Sequence, residues 1–194
     1  EVVGLGGGQL SGFLEGRKLE VETVEIDEKV VDVAREWFGF ESGRVVVADG
    51  LTRTGEKEAI FYDVDSKDAG GGMSCPPEAF VGPEHLAAAA SRVTQGVIFN
   101  VCARDEAMFE DVCERIRSHF RGVWVIDERR EDEVNKVVIG VKGARGSLDF
   151  EGLLKKMADD SSEPRAEWIC ETEEALRGAK IWRPKKKKKK KKKK

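Results

Sequence analysis

Short apolar runs along the chain alternate with segments in which apolar residues recur at helical spacing. Strands are predicted at Glu1–Leu5, Leu19–Ile26, Arg44–Ala48, Ala59–Val64 and Gly96–Cys102. Helices are predicted at Gln9–Arg17, from the cap Asp27 as far as Gly39, at Glu84–Val93 and at Glu106–Phe120. Val123–Asp127 and Val134–Val141 flank a charged turn and predict an antiparallel hairpin. This alternation indicates an α/β fold with a mixed sheet that has helices on both faces.

A glycine-rich turn follows the first predicted strand. Gly4, Gly6 and Gly8 recur at every second position there. Glycine tolerates positive φ and lets a ligand approach the backbone closely, because it has no Cβ. The helix that follows would direct its N-terminal amides and its dipole at such a ligand. The dinucleotide pattern G-x-G-x-x-G is not met, since Gln9 stands at its third glycine. The spacing instead resembles the S-adenosylmethionine turn of class I methyltransferases.

Acidic residues follow the neighbouring strands. Glu25 closes the second predicted strand, 19 residues beyond Gly6, where a carboxylate can accept hydrogen bonds from ribose hydroxyls. Asp49 and Gly50 follow the third strand, and Asp65 follows the fourth. Because the carboxyl ends of parallel strands meet at one edge of a sheet, we expect these residues to line a single crevice.

Asp65, Ser66 and Asp68 are the candidates for the substrate side of that crevice. The Asp65 carboxylate could accept a hydrogen bond from an incoming amine, hold its lone pair in line with a methyl donor and balance its positive charge. The alternative interpretation of Asp65 and Asp68 is a helix cap or a turn. Lys67, between them, is expected to be solvated.

Several segments taken together resemble one family. They are VVGLGGG (2–8), VEIDEKVVDVAREWFGF (24–40), ADGL (48–51), DVDSKD (63–68), GMSCPPEAFV (72–81) and EVN (133–135). Across roughly residues 2–142 the chain resembles the C-terminal domain of the eukaryotic lysine and N-terminal methyltransferases of elongation factor 1-alpha. The resemblance implies a spermidine-synthase-like sheet and S-adenosylmethionine as the cofactor. It implies a protein amine as the substrate, in the first place the N-terminal α-amine of elongation factor 1-alpha.

The resemblance also implies a role for each candidate residue. The three turn glycines would face the methionine part of the donor, Glu25 its ribose, and Asp49 with Gly50 its adenine. Asp65 would be the catalytic residue that meets the amine. Ser66 and Asp68 would contribute to the substrate rim.

Two features depart from the family pattern. The interval between Gly50 and Asp65 is short, which predicts a reduced helix and a shortened fourth strand. The segment before the first strand is missing too, so we interpret residues 1–143 as an N-terminally truncated methyltransferase domain. Two alternatives stay open. One is a polyamine aminopropyltransferase, because residues 65–68 resemble its paired aspartates although residues 72–77 do not. The other is an inactive fragment that binds a partner.

The charge of the chain is unevenly distributed. Ten of its 34 Lys and Arg residues form the run Lys185–Lys194, so the rest carries 24 basic residues against 37 acidic ones. A lysine block could bind nucleic acid non-specifically, but translation of a poly(A) stretch also explains it. We expect this tail to be disordered and residues 144–184, with a candidate helix at Phe150–Ala158, to form a partly helical extension.

Composition narrows the class of protein further. The four cysteines are widely spaced and form no CxxC pair, which favours reduced thiols and a cytoplasmic protein. His85 and His119 are predicted as surface or helix-end residues, and no metal site is expected. The longest apolar runs are too short to span a membrane, and no membrane partner is predicted. A homodimer is possible.

Overall fold

One mixed sheet organises the part of the chain that the structure, a computed structural model, describes: residues 1–41, 43–66, 73–103, 105–127, 135–143 and 180–183. Its strands are β1 Val2–Val3, β2 Glu22–Glu25, β3 Arg44–Val47, β4 Lys57–Tyr62, β5 Met73–Cys75, β6 Val93–Ala103, β7 Gly122–Ile126, β8 Asn135–Val141 and β9 Lys180–Ile181. The helices are α1 Gln9–Gly16, α2 Glu28–Phe38, α3 Pro83–Arg92 and α4 Glu106–His119. Two short 3-10 helices lie at Gly50–Thr52 and Glu78–Val81.

The strand order places the first and fourth strands side by side. The order across the sheet is β3-β2-β1-β4-β6-β8-β7-β9, and β5 pairs with the end of β6. From β3 to β6 neighbouring strands are parallel, with Val3 in register with both Val24 and Tyr62. The chain therefore winds away from β1 in one direction to β2 and in the other to β4. A ligand crevice is expected at such a switch in strand order, outside the carboxyl ends of the strands.

The strands of the predicted hairpin, β7 and β8, lie in the antiparallel part of the sheet, between β6 and β9. β8 is antiparallel to β6 on one side and to β7 on the other. The α/β fold class with a mixed sheet and an antiparallel hairpin is therefore confirmed. The predicted third strand is also present. Although the sequence of this strand is a continuous apolar run, β3 lies at the edge of the sheet, and its last residue, Val47, is half exposed.

Helix α2 shows how local sequence sets these elements. The Asp27 side chain accepts a hydrogen bond from the Lys29 amide and caps the helix, as predicted. Val31 and Ala34 are its buried residues. Gly39 then adopts a left-handed conformation at φ 67° and ends the helix.

The structure shows the reduced helix that the short interval predicts, but it shows no interruption of the fourth strand. Between Gly50 and Asp65 there is no full helix, only the 3-10 turn Gly50–Thr52, but β4 runs unbroken over six residues. It pairs with β1 on one side and with β6 on the other. The short interval therefore contains one 3-10 turn and a continuous strand. The prediction Ala59–Val64 was two residues too far along the chain.

The last described segment packs on the sheet. β9 pairs with β7, and the Trp182 ring is buried beside α4. Its Nε1 donates a hydrogen bond of 3.0 Å to Glu110 Oε2. The predicted helix Phe150–Ala158 and the lysine run lie outside the described residues, so the predicted domain boundaries stay predictions.

His85 is not the surface residue that the sequence predicts. Its Nε2 lies 3.0 Å from the Tyr62 hydroxyl, and its ring packs edge-on against Tyr62 and Phe80. Burial lowers the pKa of His85, so it is neutral at pH 7 and belongs to the packing beneath β4. His119 is the last residue of α4, as predicted. In the described segments, no helix has both the length and the apolar character needed to cross a bilayer.

Candidate active site

The glycine turn after β1 has a backbone that other residues could hardly adopt. Gly4, Gly6 and Gly8 have φ values of 95°, 52° and 82°. A Cβ on Gly4 would overlap the carbonyl oxygen of Asp63, and one on Gly8 would overlap the Phe40 ring. At Gly6 nothing lies within 4 Å of that position. Two of these glycines are therefore required by packing, whereas Gly6 leaves open space into which a ligand can approach.

Glu25 ties this turn to the end of β2. Its Oε2 accepts a hydrogen bond of 3.0 Å from the Leu5 amide, and its Oε1 accepts one of 3.0 Å from the Asp27 amide. The residue is 9% exposed. Because a carboxylate has about four acceptor sites, two remain for hydroxyl groups of a ligand. The sequence predicted a ligand contact here but not this second, structural role.

The end of β3 lies beside the end of β2. The Ala48 amide donates to the Glu25 carbonyl at 2.9 Å, which brings the third strand end beside the second. Asp49 Oδ1 accepts a hydrogen bond of 2.9 Å from the Leu51 amide. Gly50 is buried where a Cβ would overlap the Val3 side chain. The structure therefore places Asp49 and Gly50 at the same sheet edge as Glu25.

Two exposed apolar side chains occur at these strand ends. Ile26, directly after Glu25, is 69% exposed, and Leu51, directly after Gly50, is 38% exposed. Sequence reasoning missed both. The sequence did contain a signal, because an apolar residue directly follows both Glu25 and Gly50. Both positions come after a strand, where the chain leaves the sheet. Such residues offer apolar surface to the flat face of a ligand.

Asp63 joins the end of β4 to the glycine turn. Its amide donates to the Val3 carbonyl at 2.9 Å, and its Oδ1 accepts a hydrogen bond of 3.0 Å from Asn100 Nδ2. Asn100 lies on the neighbouring strand β6. Neither Asp63 nor Asn100 was singled out from the sequence. Only the pairing of β4 with β6 brings them together.

Asp65 and Ser66 continue from that strand end. Asp65 is exposed, and the Ser66 amide donates a hydrogen bond of 2.6 Å to the Ser74 carbonyl, which fixes this segment beside β5. Asp68, the other predicted rim residue, lies outside the described residues. The structure therefore places Asp65 two residues beyond the Asp63 that contacts the turn. Its predicted role stays a prediction.

The thiol beside Asp65 is held in its neutral form. Burial raises the pKa of Cys75 well above its ordinary value, and the Asp65 carboxylate raises it further. The Cys75 thiol donates to the Asn100 carbonyl at 3.2 Å. A neutral, hydrogen-bonded thiol is a poor nucleophile. Cys75 is therefore not a candidate nucleophile.

Known proteins are similar to this chain in sequence and in fold. No family model matches the chain. The cow protein named eEF1A lysine and N-terminal methyltransferase is 41% identical over 153 residues, which are 71% of this chain and 22% of that protein. The human protein of the same name is 40% identical over 154 residues, with the same two shares. The chain thus spans about a fifth of the length of these relatives.

A solved structure matches nearly the whole of this chain and agrees with those relatives. Human methyltransferase-like protein 13, crystallised in complex with SAH (S-adenosylhomocysteine), is 32% identical, and the match covers 94% of this chain and 83% of that one with a TM-score of 0.69. The chain belongs to the eEF1A lysine and N-terminal methyltransferase family. The family predicted from the sequence is confirmed.

The fold prediction is confirmed with it. Spermidine synthase from Thermotoga maritima matches with a TM-score of 0.53 at 22% identity, over 73% of this chain and 53% of that one. The sheet of this family member is that of the class I S-adenosylmethionine-dependent methyltransferases, in its spermidine-synthase-like form.

Proposed function

We propose that the chain transfers a methyl group from S-adenosylmethionine to an amine of a protein. The observation that carries this proposal is the crevice at the β1/β4 switch, where the glycine turn, Glu25 and Asp63 are joined by short hydrogen bonds and close packing. A relative that is 32% identical was crystallised with SAH, the product of such a transfer. That supports the same cofactor here.

The donor would lie along the strand ends. We assign its methionine part to the backbone of the glycine turn and its ribose hydroxyls to the free acceptor sites of Glu25. Its adenine would lie near Asp49 and Gly50, with Ile26 and Leu51 supplying the apolar surface. This arrangement uses the positive end of α1 and the absence of side chains at Gly6.

The acceptor amine would approach from the side of Asp65. Its lone pair attacks the methyl carbon, the bond between that carbon and the sulfonium sulfur breaks, and SAH leaves with the electron pair. The amine must be neutral to react, and the methylated amine then loses a proton to water. We assign Asp65 to accept a hydrogen bond from the amine and to orient its lone pair. Ser66 and Asp68 would form the rim around it.

An α-amine is the substrate that this site can use most easily. An α-amine titrates near 7.7–8 and a lysine near 10.4, so deprotonation at neutral pH costs about 3.5 kcal/mol less for the α-amine. The relatives' names include both lysine and N-terminal transfer on eEF1A. We propose the N-terminal α-amine of elongation factor 1-alpha as the target, and the cytoplasm, where translation occurs, as the location. A homodimer stays a prediction.

The two alternatives lead to different measurements. Aminopropyl transfer to a polyamine is less well supported, because the spermidine synthase match is 22% identical and shows the fold alone. A non-catalytic fragment would bind the donor or a partner without turnover. An assay that offers a peptide with S-adenosylmethionine and, in parallel, putrescine with decarboxylated S-adenosylmethionine separates all three.

We expect the chain to methylate a peptide that carries the free N-terminus of elongation factor 1-alpha. The same peptide acetylated at its N-terminus should receive no label from S-[methyl-³H]adenosylmethionine, because its α-nitrogen no longer has a basic lone pair. Scintillation counting of the captured peptide measures both. Equal labelling of the two peptides would assign the activity to lysines instead, and labelling of neither would reject the proposed reaction.

Changing Glu25 to Gln is expected to weaken SAH binding by about 1–3 kcal/mol. The amide nitrogen of glutamine cannot accept from the Leu5 or Asp27 amides or from a ribose hydroxyl, so one buried donor is left unpaired. Titration calorimetry measures the affinity. The matched control is Glu20→Gln, an exposed residue before β2, which should bind as the parent does.

An SAH analogue without ribose hydroxyls separates the two roles of Glu25. If the carboxylate holds the ribose, the parent should prefer SAH over the 2′,3′-dideoxy analogue more strongly than Glu25→Gln does. An unchanged preference would mean that Glu25 only supports the turn.

A further inference from the structure

A cavity of about 510 Å³ opens beside the proposed amine position. It lies between the segment after β4, the 3-10 helix Glu78–Val81 and the first three turns of α4. Ser66, the residue directly after Asp65, forms part of its wall. Consecutive Cα atoms are about 3.8 Å apart, and an extended peptide advances about 3.3–3.6 Å per residue. A substrate whose amine meets Asp65 would therefore reach this cavity within a few residues.

The floor of the cavity is apolar. Met73, Val81 and Val112 line it, and their exposed fractions are 8%, 0% and 2%. These side chains belong to the main core, so the floor is rigidly held. A polar group that reached this depth would lose its contacts with water. An aliphatic chain would be buried favourably.

The rim is acidic. Glu78, Asp105 and Asp111 line it together with one cation, Arg115. Arg115 Nη2 lies 2.7 Å from Asp111 Oδ2, and Arg115 Nη1 lies 3.4 Å from Glu78 Oε1. These four residues carry three negative charges and one positive charge, so the rim keeps a net negative charge of two.

We propose that this cavity receives a basic side chain of the protein substrate, lysine or arginine, from a residue close to the methylated amine. Such a side chain has an aliphatic stem that suits the apolar floor and a cationic head that suits the acidic rim. A phosphate or an anionic membrane surface would be repelled by the same carboxylates. The proposal rests on the proposed function, because it takes Asp65 as the position of the amine.

The exposure of the rim carboxylates determines how strongly they attract a cationic side chain. The side chains of Glu78 and Asp111 are 79% and 56% exposed, so solvent screens each of them and their attraction for a cation is modest. We expect exchange of the substrate lysine for norleucine, which keeps the stem and removes the charge, to weaken binding about two- to fivefold. The difference should shrink as salt is added.

The test uses hexapeptides that begin with glycine, contain serine elsewhere, and carry lysine or norleucine at one of positions two to five. Two measurements are made on the full 194-residue chain. One is the dissociation constant of each fluorescently labelled peptide, by anisotropy in the presence of SAH. The other is the KM for methyl transfer to the unlabelled peptide. At one of the four peptide positions, the peptide with lysine should have both a lower dissociation constant and a lower KM than the peptide with norleucine.

Rim variants then connect that preference to the cavity. The double change Glu78→Gln with Asp111→Asn should abolish the lysine preference, because it removes the two carboxylates paired with Arg115 and brings the net charge of the four rim residues from minus two to zero. Glu114→Gln is the matched control, since it removes one carboxylate from the exposed side of the same helix α4 and lies outside the cavity. It should keep the preference.

The outcomes separate this proposal from the proposed function. A lysine preference in binding that is lost in the double variant, without transfer to any peptide, supports the cavity and rejects the methyltransferase proposal. Transfer without a lysine preference in binding overturns the cavity proposal alone. A preference that survives in the double variant also overturns it.

Discussion

Replacing Asp65 with alanine should lower the rate of methyl transfer by about 10²–10⁴-fold, the range typical of a positioned acid–base group. The exposed carboxylate stands beyond the end of β4 and is not tied to the glycine turn. Its loss should therefore leave the donor site intact while the amine loses the acceptor that orients its lone pair. Single-turnover transfer to the free-amine peptide measures the chemical step, and calorimetry with SAH measures donor affinity.

Two comparisons make this prediction specific. Asp32→Ala removes an exposed carboxylate from α2, away from the crevice, and should transfer at the parental rate. Asp68→Ala should cost less than Asp65→Ala if Asp68 only shapes the rim. Parental activity in Asp65→Ala would contradict its catalytic assignment, and a matching loss of SAH affinity would place Asp65 in the donor site instead.

Replacing Gly4 with alanine should lower the free energy of unfolding by about 3 kcal/mol and the affinity for SAH at least tenfold. At φ 95° an L-residue is strained, and the new Cβ would overlap the Asp63 carbonyl oxygen and lie 3.2 Å from Val64 Cγ1. Backbone atoms cannot rotate aside as a side chain can. The β1 turn must therefore move away from the end of β4, and it takes the crevice wall with it.

Gly6→Ala is the matched control from the same turn. Its φ of 52° lies in the left-handed region, and no atom lies within 4 Å of the added Cβ. The expected loss of stability is about 1 kcal/mol. Urea unfolding of both variants and calorimetry with SAH provide the measurements. Equal stability losses in the two variants would show that the contact with Asp63 is not what requires glycine at Gly4.

The parts of this site that could be predicted are those encoded locally. The glycine turn, Glu25 at the end of β2 and the Asp27 cap each depend on residues close together in the chain. Their spacing is enough to place them, because a strand followed by a turn and a helix has few possible geometries. The alternation of strands and helices predicted a parallel sheet, and in such a sheet the carboxyl ends of the strands share one edge. That was enough to place the glycine turn and Glu25 at the same edge.

The missed parts depend on contacts between distant segments. Asn100 reaches Asp63 only because β6 pairs with β4, and no local pattern marks either residue as a partner. β5 and β9 contain three and two residues, too few to show an alternation. The burial of Trp182 could not be predicted either, because it depends on the pairing of β9 with β7. The apolar run of β3 predicted a strand correctly, but it did not reveal that the strand lies at an edge.

Strand β8 lies between β6 and β7 although both precede it along the chain. On the ribosome, residues 93–126 emerge before residues 135–141, so β8 is made after both of the strands between which it lies. At about 5–20 residues per second, the gap from residue 126 to residue 141 lasts roughly one to three seconds. For that time β6 has an unpaired edge that other nascent chains could join. A chaperone that shields this edge during synthesis would raise the yield of folded protein.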